Sequence, residues 1–358
     1  MTTTNTSVIK KLLLIFLVIA GLFFAKAFLI PLFIGGILAT LFLPFSQFME
    51  RRKIPKGLAA FICVLTLLGI TTTLFYLLGW KVSGLITDVT LIKQKGIETI
   101  TQTQDYIFNN LGISAEQQAQ IIEGEKPSIS GIMQTLLGSL SALFTNFILV
   151  MAYVLFLLYY RSHIKKFLLK LTMPTQRDEM EKIISGCTII SQQYLLGMAK
   201  MIGCLWIMYG IGFSVIGVEN AIFFAVLCGL FEIVPFIGNI VGTTLTVLVT
   251  ALHGGNPTVL IGIVVTYGVV QFIQGWVLEP FIVGSQVKIN ALFTIIALVI
   301  GELVWGISGI ILAIPLLAIF KILCDHIEPL KSYGFLIGEI ETKKSEKRIV
   351  EKVKNIFK

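Results

Sequence analysis

Two glutamates stand near the centres of long apolar stretches: Glu232 within residues 221–252 and Glu302 within residues 291–323. A charged carboxylate at the middle of a membrane helix costs about 2.5–3.5 kcal/mol on insertion scales, so each marks a candidate site for binding a proton, a cation or a polar solute. The structural alternative is that each glutamate accepts backbone N–H groups where a helix is broken. Pro235 and Gly238 follow Glu232, and Gly306 and Gly309 follow Glu302. Proline removes a backbone donor and glycine permits sharp turns, so these four are expected to interrupt the helices and free backbone groups for a ligand. Close helix packing through small residues is the competing explanation. Asn239, Gln271, Gln274 and Asn290 add neutral hydrogen-bonding groups, and Glu279-Pro280 falls at an expected helix end. No lysine or arginine lies in the middle of either stretch, so an anionic substrate finds no counter-charge there. A small, hydroxyl-rich polar solute suits amides and two carboxylates better.

The elements that must position these residues are membrane helices. Of the 358 residues 56% are apolar and 13% charged, against about half and a quarter in soluble domains. Blocks such as 58–80 and 138–160 are long enough to cross a hydrocarbon core of about 30 Å. They lack the alternation that a membrane β-barrel requires. The expected fold class is therefore an all-α polytopic membrane protein with about eight transmembrane segments, two of them broken or folded back as re-entrant hairpins and related by an internal repeat. The five cysteines and three histidines are scattered and form no metal-ligand pattern, so no metal and no cofactor are expected. The net charge of +8 sits in short loops and at the ends, with no basic stripe interleaved with aromatics, so nucleic acid is not an expected partner.

Lys10-Lys11 and the apolar run 12–24 mimic a cleavable leader, but a second apolar run, 28–45, follows at once, and an uncleaved first helix is preferred. Residues 12–49 as one helix would measure about 57 Å, too long for one crossing, and Lys26 and Pro31 suggest a break. Residues 1–80 thus hold three transmembrane helices, with a basic turn at 50–56. Residues 81–137 read as an extracytoplasmic amphipathic region. Residues 138–194 hold the fourth helix and a basic cytoplasmic connector divided by Pro174. A transport core follows over 195–324, and 325–358 form a basic cytoplasmic tail whose segment 339–358 suits the inner leaflet or a partner. Basic residues number two before the first helix, four after the second, six after the fourth and nine from Lys321 onward, 21 of the 28. The positive-inside rule places that side, and both termini, in the cytoplasm.

The two stretches align with an offset of 70. Ala221, Phe223, Glu232, Val234, Ile237 and Ile240 meet identical residues at 291, 293, 302, 304, 307 and 310. Paired, interrupted segments of this kind point to a transporter's binding site. Either a kinked crossing or a hairpin fits each one.

Several runs together resemble the autoinducer-2 exporter family of bacterial permeases. They are LIPLFIGGILATLFLPFSQFMERRKIPKGLAA from Leu29, YYRSHIKKFLLKLTMP from Tyr159, YLLGM from Tyr194, GLFEIVPFIGNIVG from Gly229, LEPFIVGSQVKINALF from Leu278 and GISGIILAIPLLAIFKIL from Gly306. Their order and spacing carry the resemblance, which runs nearly end to end. It implies a multi-helix secondary transporter in the bacterial cytoplasmic (inner) membrane, an exporter of a small polar solute such as the quorum-sensing signal autoinducer-2. It also implies a homo-oligomer, with a pentamer as one form. A sodium or lithium/proton antiporter, in which Glu232 or Glu302 holds the ion, is the alternative within transport, so proton or sodium is the expected coupling ion. A channel or structural assembly protein is a further alternative. An enzyme is not expected: HExxH, paired catalytic aspartates and the phosphate-binding GxxxxGK[ST] loop are all missing from the sequence.

Overall fold

The computed structural model describes residues 2–87, 129–235, 237–284 and 289–339. The expected amphipathic region lies mostly outside the described residues, as do residues 340–358 of the basic tail, Lys288 and Phe236. Among the described residues there is no β-strand, only an isolated antiparallel bridge between Ile289 and Gly338. The helices are α1 (Thr2–Phe24), α2 (Lys26–Arg51), α3 (Lys56–Thr87), α4 (Ile129–Leu171), α5 (Arg177–Val215), α6 (Ala221–Phe231), α7 (Ile237–Leu252), α8 (Pro257–Ile273), α9 (Ala291–Trp305), α10 (Ile307–His326) and α11 (Lys331–Ile337). A π-helical stretch, Gln274–Gly284, continues α8.

Among the described residues six helical stretches are long and apolar enough to cross a membrane: Lys26–Arg51, Lys56–Trp80, Thr145–Leu171, Pro174–Val215, Pro257–Glu279 and Ile307–His326. Their outward faces carry large apolar side chains, such as Phe61, Leu65, Ile70 and Phe75 on α3, which water-soluble surfaces rarely gather. The chain is an all-α, multi-pass membrane protein.

The expected break in the first apolar block falls at Ala25, between α1 and α2. Pro31 does not cause it: Pro31 and Pro44 both lie inside α2, and Pro31 is buried. Membrane helices tolerate such prolines because neighbouring groups satisfy the freed carbonyl. The basic stretch around 161–182 is helical and divided at Pro174. Helix α4 runs on to Leu171, a single turn of 3₁₀ helix at Pro174–Gln176 reverses the chain, and α5 starts at Arg177. A proline at the start of that turn has no N–H to leave unpaired, so the reversal is tight.

The chain divides into two compact units, one of residues 1–26, 162–197 and 280–358, the other of 27–161 and 198–279. In the larger unit α2, α3 and α4 share a core of Ala39, Met49, Ala59, Ala60, Cys63, Leu67, Val150, Val154 and Leu158. Small residues let the backbones approach: a Cβ on Gly35 would come within 2.8 Å of the Tyr153 Cβ. At one end of this bundle Arg161 donates to Glu50 Oε2 at 2.5 Å and to Ser46 Oγ at 3.1 Å. The two charged side chains are 22% and 18% exposed. Removing one partner strands a half-buried charge, so Arg161→Met is expected to lower stability by about 1–2 kcal/mol after allowance for solvent screening. Thermal unfolding in detergent checks this, and a cycle with Glu50→Gln isolates the pair.

Both members of the repeat are helical hairpins. In the larger unit α7 folds back along α6: Gly238 abuts the Phe231 carbonyl, Gly242 abuts the Cys228 Cα, and Thr246 approaches the Cys228 thiol at 3.8 Å. In the other unit α10 folds back along α9, with Gly309 against the Gly301 carbonyl and Ala313 beyond it. Pairings that recede from a turn in this order are antiparallel, which a kinked straight crossing cannot produce.

Candidate functional site

Pro235 ends the first arm. It has no N–H to continue the ladder, and the residue before a proline is driven from helical geometry. The tip is closed by Ile233 N–H to Leu230 O at 3.1 Å, Val234 N–H to Phe231 O at 2.9 Å and Gly238 N–H to Val234 O at 3.0 Å. The turn places Glu232, the last residue of the first arm, beside Asn239 in the first turn of the second. Gly238 is needed between them, since a Cβ there would overlap the Phe231 carbonyl oxygen at 1.7 Å.

Glu232 is half-buried and holds two side-chain amides. Asn239 Nδ2 donates to Glu232 Oε2 in a short bond. Gln274 Nε2 donates to Glu232 Oε1 at 2.5 Å. Gln274 Oε1 in turn accepts from Asn239 Nδ2 at 3.2 Å and from Gln271 Nε2 at 3.3 Å. Asn239 and Gln274 are 1% and 3% exposed. The two glutamines come from the junction of α8 with the π-helical stretch, a geometry frequent at functional sites. Glu279, further along that stretch, lies near Gln274 and Glu232. Among the described residues no lysine, arginine or histidine bonds to the cluster.

Four of the twelve residues expected from the sequence, Glu232, Asn239, Gln271 and Gln274, thus form one hydrogen-bonded group. Pro235 and Gly238 shape the turn that makes it, and Glu279 adjoins it. Tyr209 of α5, fully buried, stands beside Gln271 and Glu232. Sequence reasoning missed it because a tyrosine within an apolar helix carries no spacing signal that separates a site residue from an ordinary core aromatic.

The other expected residues lie in the other unit. Gly306 is the turn of the second hairpin, with φ 61° and ψ −142°, a backbone conformation that excludes other residues. Gly309 is the contact between its arms. Glu302 is exposed, and among the described residues its carboxylate makes no hydrogen bond. Asn290 is fully engaged. Its Oδ1 caps α9 by accepting from Phe293 N–H at 3.0 Å, and its Nδ2 donates to Leu336 O at 2.8 Å and Gly338 O at 3.1 Å. Pro280 lies in the π-helical stretch where the chain passes from one unit to the other. The repeat is therefore alike in backbone and unlike in side-chain surroundings: one glutamate is embedded among amides and the other is open.

The pattern of the family described as "AI-2E family transporter" matches residues 12–328. The chain is 25% identical over 325 residues to the "Putative transport protein YrrI" of Bacillus subtilis, covering 84% of this chain and 87% of that one. It is 23% identical over 360 residues to a "Putative transport protein" of Borreliella burgdorferi, with 98% and 95% covered. It is 22% identical over 345 residues to the "AI-2 transport protein TqsA" of Escherichia coli, with 95% and 97% covered. A family match over nearly the whole chain, on a multi-pass helical fold, shows that the protein belongs to the AI-2E family of membrane transporters.

Proposed function

We propose that the protein is a secondary transporter that exports a small polar solute such as autoinducer-2, with the Glu232 cluster as its binding site. The observation that carries this reading is a half-buried carboxylate held by two amides at the tip of a helical hairpin. Arms of 11 and 16 residues span about 16 and 24 Å, less than the hydrocarbon core of about 30 Å. A hairpin of that length enters and leaves on one side, and its tip lies near the bilayer midplane, where transporters place their sites. Irregular backbone at such depth is tolerated where it is buried in protein or lines a wet cavity. A relative bearing the name of an AI-2 transport protein supports the choice of solute. The charge distribution supports the bacterial cytoplasmic membrane with both termini in the cytoplasm, and the resemblance supports a homo-oligomer, with a pentamer as one form.

A second reading, exchange of sodium or lithium for protons, is favoured by the lack of any basic side chain bonded to Glu232 among the described residues. The test is flux in liposomes made with the purified full-length chain, offering autoinducer-2 and, separately, each alkali cation. Saturable movement of autoinducer-2, driven by an imposed ion gradient, is the expected result. Cation movement that needs no organic solute favours exchange. Flux that rises without saturation points to a channel, and no flux of either kind overturns both transport readings.

A further inference from the structure

Helix α11 folds back on the second hairpin. A Cβ on Gly334 would stand 2.2 Å from Asp325 Oδ1, and one on Gly338 would stand 3.3 Å from Lys321 Cε. Asp325 and Lys321 are one turn apart on α10, so α11 runs antiparallel to the last turns of that arm. The two residues pair at 2.6 Å. Charge at this level belongs at the edge of the hydrocarbon core and not within it, so α11 lies at the headgroup boundary.

Only one face of α11 is covered. Gly334 and Ile337, three residues apart, are buried. Tyr333, Phe335 and Leu336 are exposed, Phe335 at 88%. A helix of seven residues cannot cross a bilayer, and large apolar side chains gathered on its outer face are poorly placed in water. Charge selects the surface that covers them. The chain that follows α11, residues 339–358, carries seven basic and four acidic side chains. An apolar face joined to a basic segment suits a membrane surface rich in anionic lipid. A second copy of the chain would bring the same positive charge against its own.

Helix α11 is also tied to the entrance of the second hairpin. Asn290, the residue before α9, meets three successive carbonyls at the end of α11. Its N–H donates to Ile337 O at 3.0 Å, and its Nδ2 donates to Leu336 O at 2.8 Å and to Gly338 O at 3.1 Å. A helix end leaves such carbonyls without partners of its own. The Asn290 Oδ1 meanwhile caps α9 by accepting from Phe293 N–H at 3.0 Å. One residue thus closes α11 and opens the first arm of the hairpin, so what steadies α11 steadies the base of α9.

We propose that the face of α11 formed by Tyr333, Phe335 and Leu336 docks on the anionic lipid surface of the inner leaflet, and that Asn290 passes this docking on to the base of the second hairpin. The choice of leaflet rests on the cytoplasmic C-terminus proposed above. The test depends neither on that side nor on any transported solute.

Hydrogen exchange of the purified full-length chain in nanodiscs provides it, comparing phosphatidylcholine alone with phosphatidylcholine containing about one-third phosphatidylglycerol. Both faces of a nanodisc carry the same lipid. In wild type the amides of residues 331–338 are expected to exchange roughly tenfold more slowly with the anionic lipid, and those of 291–294 to slow with them. High salt is expected to shrink the difference. The double variant Phe335→Ser/Leu336→Ser, altered only at exposed positions, is expected to exchange alike in both lipids. Asn290→Ser keeps an oxygen that caps α9 but loses both Nδ2 bonds. In that variant the lipid effect is expected to persist at 331–338 and to vanish at 291–294.

Equal exchange of wild type in the two lipids overturns the docking, and equally slow exchange would mean that another surface covers the face. A lipid effect that survives in Phe335→Ser/Leu336→Ser overturns it too. A lipid effect at 291–294 that survives in Asn290→Ser overturns the coupling. Slowing by anionic lipid in a protein that moves no solute upholds this inference while the transport reading fails. Flux from a protein indifferent to lipid charge does the reverse.

Discussion

Glu232→Gln is expected to reduce solute-coupled flux in liposomes roughly 10- to 100-fold while leaving a folded, monodisperse protein. The carboxylate accepts from Asn239 Nδ2 and Gln274 Nε2, and both bonds are charge-assisted. A glutamine in its place presents one oxygen and one N–H₂ group to two donors. One amide must then turn over, and Gln274 cannot do so without releasing Gln271 and Asn239 from its Oε1. Hydrogen bonds to charged groups are worth about 1.5–3 kcal/mol, so loss of one accounts for the range given. The double variant Glu232→Gln/Gln274→Glu returns one carboxylate to the cluster and is expected to recover part of the flux. Glu302→Gln is the internal control. That carboxylate is exposed and, among the described residues, unbonded, so its replacement is expected to change flux less than about twofold. Wild-type flux in the Glu232 variant would reduce this residue to a helix cap.

Gly309→Ala and Gly238→Ala are expected to be the most damaging single-methyl additions in the protein. A Cβ on Gly309 would stand 1.8 Å from the Gly301 carbonyl oxygen, and one on Gly238 would stand 1.7 Å from that of Phe231. Neither neighbour is a flexible side-chain end that can step aside. The arms must separate, and the packing that holds each hairpin shut is lost along its length. Overpacking of a tight contact costs about 1–3 kcal/mol, and backbone against backbone falls at the upper end. In the membrane, van der Waals contact between close helices is a main source of stability, so the loss is not masked by a hydrophobic gain. The comparison is Gly268→Ala in α8, where an added Cβ meets nothing within 4 Å and removal of glycine favours the helix. Melting temperatures in detergent should fall by several degrees for the hairpin variants and hold or rise for Gly268→Ala. Equal melting of all three would mean that the hairpins are not closed.

Composition and block length settled the solvent, the fold class and the helical nature of the chain, because a lipid-facing segment must be apolar along its whole length and must satisfy its own backbone. Glycine, proline and the paired glutamates marked where the repeat breaks, since these residues act through local backbone geometry that sequence states directly. Helix limits were less legible. Residues 161–182 look like a connector because they are basic, yet a helix continues across that region on both sides of Pro174, as charge on an exposed helical turn costs nothing. Hairpin and kinked crossing share one sequence signature and differ only in whether the second arm packs on the first, a long-range contact. Burial separated the two glutamates. At an offset of 70 they are the same residue in the same context, but Glu232 meets the Asn239 amide of α7 and the Gln274 amide, brought 42 residues along the chain at the end of α8, and Glu302 meets no such neighbour among the described residues. Tyr209 was invisible for the same reason: a residue comes to stand beside a cluster by what faces it across a packed interface, and periodicity along one helix tells which side it is on but not what stands opposite.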